Sequence, residues 1–299
     1  MNPSLILLAM IALLALNIAP FAVAGEYRRK TGKPFLAPTW SVWHLLYVGE
    51  AVILLLLVMT TFYFVPLTVL AKPLGLDMPA LTKAITANDF ANIPALVWFF
   101  LPATILQNVA FFAAPAAAIA GFYNVRLRDI GLPAFPPRRA VVAGLILGVV
   151  FLLVSGGLGY GLETLARRFE YLPFVKAMLH VEETNPVAQL AGSLRKAGIP
   201  GLILGVLAVG IAAPLGEEML FRGFAQNVLT RRFGVIVGVV GSALLFAAPH
   251  TYSLLGLSVI FLMGLALAHI YRVGGSLWTC IIIHAVNNTV QIVLAYFVR

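Results

Sequence analysis

Long apolar runs separated by short basic clusters organise this chain. Mostly apolar stretches lie at about 4–24, 46–70, 94–123, 139–163, 201–231, 234–250, 254–271 and 276–297. A membrane-crossing helix needs about 20 such residues, so the pattern predicts about eight crossings, the sixth and seventh of them short. The fifth run is long and contains Pro214 and Gly216, which predicts a broken or tilted helix at that point. No internal repeat and no low-complexity tract interrupts the pattern. The expected fold is all-α: a polytopic bundle of transmembrane helices.

The placement of lysine and arginine predicts its orientation. Arg28, Arg29, Lys30 and Lys33 follow the first run, and Arg126, Arg128, Arg138 and Arg139 follow the third. Arg231 and Arg232 follow the fifth, and Arg272 follows the seventh. Alternate loops are therefore basic, which makes them the cytoplasmic ones and puts both termini outside. The first run lacks basic residues before it, so it reads as a retained helix and not as a cleaved signal peptide, despite Ala22-Val23-Ala24. The segment 164–200 mixes charges with apolar residues, as in Leu165-Ala166-Arg167-Arg168-Phe169. It is expected to be an exterior surface element: an amphipathic helix on the membrane or an ordinary loop.

Composition sharpens this picture. Of 299 residues, 61% are hydrophobic and 10% charged, against about 25% charged in an ordinary soluble domain. Such a chain lacks the polar residues to cover a water-facing surface, so the bilayer is its expected solvent and partner. The net charge of +9 sits in short loop clusters and forms no stripe for nucleic acid, which is excluded as a partner. The single cysteine, Cys280, lies in an apolar run and has no internal disulfide partner.

Ionisable groups inside a bilayer are costly, roughly 2.5–3.5 kcal/mol or more each at a helix centre, and they mark function. Here they concentrate in the last third of the chain: Glu217, Glu218, Arg222, His250, His269 and His284, with Asn287 and Asn288. Adjacent helical residues point about 100° apart, so Glu217 and Glu218 face different ways. Glu218 and Arg222, four apart, can pair along one face. Glu217 is then left to face the bundle interior, where a carboxylate suits the work of a general base. His284 and Asn288 are also four apart and share a face of the last helix, while His250 closes the run that contains Phe246. His269 lies near an interface and reads as structural.

In order and spacing, Glu217-Glu218-x-x-x-Arg222, Phe246-x-x-x-His250 and His284-x-x-x-Asn288 resemble the three motifs of the CAAX-protease and bacteriocin-processing (CPBP) family. These are intramembrane proteases related to the Ras-converting endopeptidase. Phe221-Arg222-Gly223 and Gly274-Gly275-Ser276-Leu277-Trp278 also look like that family, and the resemblance covers roughly residues 198–297. It implies catalytic residues Glu217, His250, His284 and Asn288, with Glu218 and Arg222 in support. Glu217 would activate a water, with His250 helping to hold or polarise it, and His284 and Asn288 would donate to the oxyanion. The substrate would be a membrane-associated protein or peptide.

The resemblance leaves the cofactor open between none and zinc. A metal would be held by Glu217, His250 and His284, although no His-Glu-x-x-His helix is present. Residues 198–299 form the expected catalytic helical core, and residues 1–197 carry no family motif. A non-proteolytic interaction protein or bacteriocin-immunity scaffold is the alternative function. A proton-coupled transporter is less well matched, because the interruption at Pro214-Leu215-Gly216 has no counterpart in the first half. The expected setting is a prokaryotic cytoplasmic membrane, crossed several times.

Overall fold

Apolar side chains on all sides let a helix sit among other helices and lipid, and among the described residues this chain forms no other regular element. A computed structural model describes residues 41–70, 94–123, 125–183 and 186–298, with single residues within 8–31 and 77–83. The helices are α1 (Val42–Leu70), α2 (Pro94–Gly121), α3 (Arg138–Arg167), α4 (Pro173–Glu183) and α5 (Pro186–Gly205). The last of these runs on through α6 (Ala213–Glu218) and α7 (Asn227–Phe233), joined by π-helical turns at Val206–Ala212 and Met219–Gln226. α8 (Val235–Ala247), α9 (Leu254–Gly274) and α10 (Leu277–Phe297) complete the order.

Six of the described helical stretches are long and apolar enough to cross a membrane, and α8 is a shorter apolar helix. The protein is therefore a multi-pass membrane protein. The seventh run proves full length as α9, and the first run falls outside the described residues except for isolated positions. Successive helices alternate in direction. At one end, His44 shares a hydrogen bond with Tyr123 (2.6 Å), and Tyr271 donates to Ile130 O (3.0 Å). Trp278 also donates there, to Pro133 O (2.8 Å). At the opposite end, Ser253 N–H donates to Glu182 (3.1 Å), and Arg195 donates to Ala295 O (2.7 Å). The loops carrying Arg126, Arg128, Arg138, Arg139, Arg231, Arg232 and Arg272 thus gather at one end of the bundle.

Two sequence expectations are corrected. Pro214 does not break its helix; the chain passes through it with a π-helical turn immediately before. The kink falls earlier, at Gly198 (φ 68°, ψ −159°), just ahead of Pro200. Segment 164–200 is also only partly a surface element. Its first half continues α3 and forms the largely exposed α4. From residue 189 it belongs to the long apolar stretch Gln189–Phe233, with Leu190, Ser193 and Leu194 buried. The charges Arg195 and Lys196 disguised that continuity.

Packing is closest where glycines meet neighbours. A Cβ on Gly144 would lie 2.6 Å from Ile282 Cβ, and one on Gly148 would lie 2.9 Å from Val286 Cβ. This four-residue spacing of small residues lets α3 and α10 approach nearly backbone to backbone. On α6, a Cβ on Gly216 would meet Asn108 O at 2.5 Å, which seats the glutamate-bearing turn against α2. Two apolar clusters frame the bundle. One, near the basic end, contains Ile119, Met219, Phe224, Leu267, Leu277 and Ile283; the other contains Val97, Leu101, Leu194, Ala208 and Ile292. Glu217 and Glu218 lie on α6, Arg222 in the π-helical turn after it, His250 just beyond α8 and His284 on α10.

Candidate intramembrane active site

Arg222 is the most deeply committed charge in the molecule. Its side chain is fully buried, as is that of Glu218, and Nη1 donates to Glu218 Oε1 at 2.8 Å. Nη2 donates to Gly264 O (3.2 Å) near the middle of α9, and the guanidinium carbon stands 4.3 Å from the centroid of the Phe246 ring. These bonds satisfy part of each group, while Glu218 Oε2 and Arg222 Nε are buried without a hydrogen-bond partner among the described residues. Arg222 therefore ties α6, α8 and α9 together at one level.

Glu218 has a second partner that the sequence pattern does not announce. Its Oε1 also accepts from His284 Nδ1 at 2.9 Å. With Nδ1 committed, the other ring nitrogen of His284 faces Glu217: Nε2 lies 3.8 Å from Glu217 Oε2. A carboxylate that fixes one imidazole nitrogen also sets the direction of the other. The two carboxylates point apart, as their adjacency on a helix requires. The Glu217 side chain retains 16% exposure and that of Glu218 none, so Glu217 is the less enclosed of the two.

His250 lies just beyond α8. Its Nδ1 pairs with Phe246 O at 2.8 Å, which leaves Nε2 as the nitrogen available to the site. The Phe246 ring is the common wall, with centroids 5.2 Å from His250, 5.8 Å from His284 and 5.4 Å from Phe221. Glu217, Glu218, Arg222, His250 and His284 thus converge on one region, with Asn288 one helical turn from His284. His269 is exposed.

The zinc set fares differently. Among the described residues no group of three or more His, Cys, Asp or Glu side chains is gathered closely enough to hold a metal ion. His284 Nδ1 is committed to Glu218, and Glu217, His250 and His284 do not form a cage. The residues present do not fit the metalloprotease alternative.

Sequence reasoning missed three contributors. Glu182 on α4 accepts from Ser253 N–H and so holds the loop that follows His250. Tyr252 in that loop has its ring 6.3 Å from His250. Burial, with the charges of Glu182 and Glu217 nearby, pushes the Tyr252 phenol up to about 12 and keeps it protonated. Ser155 on α3 reaches Asn287 at 3.2 Å. Glu182 and Ser155 lie outside the motif-bearing region, and no local pattern marks them. Only the fold brings them in.

An all-helical membrane bundle with a buried Glu–Arg–His cluster is the class these features define. Residues 199–290 match the family model described as type II CAAX prenyl endopeptidase Rce1-like. The resemblance carried by the three motifs is borne out over that segment, which is similar to the Rce1-like domains of the CPBP family. An Escherichia coli protein described as an uncharacterized 24.3 kDa protein is 37% identical over 95 residues, covering 30% of this chain and 44% of that protein. The chain thus spans less than half the length of the curated relative it matches. No solved structure matches the chain.

Proposed function

We propose that the protein is an intramembrane endopeptidase that hydrolyses peptide bonds of membrane-associated proteins or peptides with a glutamate-activated water. The observation that carries this reading is the His284 ring, held by Glu218 on one nitrogen and turned towards Glu217 with the other. An imidazole fixed beside a second carboxylate in an apolar layer is an arrangement for moving protons and stabilising developing charge.

In this mechanism Glu217 takes a proton from a water as its oxygen attacks the scissile carbonyl carbon. His250 Nε2 holds that water. As the tetrahedral intermediate forms, the former carbonyl oxygen becomes negative and receives hydrogen bonds from the Asn288 amide and from Nε2–H of His284, which acts here as an imidazolium with its other N–H on Glu218. Each such donor is typically worth about 2.7–4 kcal/mol in the transition state. The proton carried by Glu217 then passes to the leaving amine, the C–N bond breaks, and the carboxylate is regenerated. Glu218 and Arg222 keep the imidazole in register. Family likeness makes prenylated C-terminal tails the first substrate class to try, and a prokaryotic cytoplasmic membrane is the proposed setting. Purified Glu217→Ala protein should cleave membrane-tethered peptides at least about 100-fold more slowly than wild type; unchanged turnover contradicts the reading.

A further inference from the structure

Asn288 is held at both ends of its amide, and the π-helical turn explains how. In that turn Ala213 N–H donates to Ala208 O, five residues back. In a regular α-helix Ala213 N–H would instead bond to Val209 O, four back. The next donor in the π register, five residues beyond Val209, is residue 214, and this is a proline without an N–H. Val209 O is therefore released from its own helix. Asn288 Nδ2 donates to it at 3.0 Å. Gly210 makes the approach possible, since a Cβ there would lie 2.4 Å from Thr289 Oγ1 on α10.

The other end of the amide is also fixed. Asn287 Nδ2 donates to Asn288 Oδ1 (3.2 Å). The Ser155 hydroxyl lies 3.2 Å from both Asn287 Oδ1 and Leu152 O, and holds the Asn287 amide in turn. Asn287 is almost wholly buried, whereas Asn288 is half-buried and open on one side. A side-chain amide can turn over, exchanging its oxygen for its nitrogen. Here a donor faces the oxygen and an acceptor faces the nitrogen, so one orientation is selected.

We propose that Pro214 and Asn287 are positioning residues: Pro214 frees the Val209 carbonyl and Asn287 pins the amide oxygen, so that Asn288 presents N–H to the reacting centre. Ser155, on α3, extends this control beyond the family-matched segment. The inference rests on the endopeptidase reading, in which Asn288 is an oxyanion donor.

The test is a double-mutant cycle on the full-length protein in detergent. The probes are a fluorogenic peptide with a farnesylated cysteine–aliphatic–aliphatic–X tail and the same peptide unprenylated. Removing one oxyanion donor costs about 100- to 1,000-fold in kcat, and misdirecting it is expected to cost roughly tenfold. Pro214→Ala and Asn287→Ala should each show that kcat loss with little change in KM, and neither should lower kcat further in an Asn288→Ala background. Pro214→Ala adds a backbone donor, so its melting temperature should hold or rise while kcat falls, which a merely structural role does not produce. Normal kcat in either single variant, or the same loss with Asn288 already removed, overturns the inference. Glu217→Gln separates the two levels. If it is inactive and the Asn288→Ala protein is normal, only the positioning account falls. If it is fully active, or if the wild type cleaves neither peptide, the endopeptidase reading falls and takes the inference with it.

Discussion

Replacing Arg222 with methionine removes a guanidinium that is wholly buried and makes two hydrogen bonds, to Glu218 and to Gly264 O. Methionine fills most of the same volume and keeps contact with the Phe246 ring, so lost packing is a minor part of the effect. What remains is a Glu218 carboxylate buried without its cation. Breaking a buried pair by deleting one partner costs about 3–5 kcal/mol, whereas replacing both charges with well-packed neutral groups is often close to neutral. Arg222→Met should therefore lower the stability of the purified protein by about 3–5 kcal/mol in detergent unfolding. Adding Glu218→Gln in the same chain should restore most of that loss. Activity should behave differently. The double variant lacks the carboxylate that accepts from His284 Nδ1, so peptide hydrolysis should stay at least about tenfold below wild type although the fold is restored. The assay is unfolding followed by intrinsic fluorescence, read beside peptide turnover on the same samples. If Arg222→Met unfolds like wild type, or if the double variant is no more stable than the single one, the ion pair does not organise this cluster.

Further consequences concern the scaffold around the site. Gly144→Val should destabilise the bundle by roughly 1–3 kcal/mol, because a Cβ there lies 2.6 Å from Ile282 Cβ; thermal melting of the purified protein measures it, and an unchanged melting temperature contradicts the close α3–α10 contact. Gly131→Ala should be at least as damaging. Its φ of 82° disfavours a side chain, and the added Cβ would meet Gly275 O at 2.1 Å; the check is the yield of folded protein by size-exclusion chromatography. Glu182→Ala should leave the bundle folded but loosen the loop after His250, lowering kcat by several-fold and increasing protease cleavage near Tyr252. The raised Tyr252 phenol gives a pH signature with a defined sign. Its stabilising contribution is complete below about pH 10, the ordinary tyrosine value, and is lost as pH rises through about 12. Tyr252→Phe should therefore flatten the alkaline limb of the stability profile.

Much of the helix pattern was readable from apolar runs, because helices that face lipid and one another carry no competing polar signal. The convergence of Glu217, Glu218, Arg222, His250 and His284 was anticipated too, since charges inside a membrane have few other places to go. What escaped was tertiary. The pairing of Glu218 with Arg222 follows from a four-residue spacing, but its second bond to His284 depends on how α6 and α10 are rotated against each other. Pro214 pointed to a broken or tilted helix because a proline ordinarily costs a helix one hydrogen bond. In the fold, the π-helical turn relocates that missing bond and hands the free carbonyl to Asn288. Glu182 and Ser155 are ordinary residues on their own helices and acquire meaning only across the bundle. The continuation of the long helix through residues 189–200 was hidden by Arg195, which reaches the carbonyls of Ala295 and Val298 at the end of α10.

Single-turnover cleavage of a membrane-tethered peptide in heavy-oxygen water, with wild type and Glu217→Gln compared at equal folded concentration, tests the central claim most directly. Direct attack by water activated on Glu217 predicts one heavy oxygen in each new peptide carboxylate and a rate at least about 100-fold lower in the variant. Equal rates in the two proteins, or product carboxylates without the label, would contradict it.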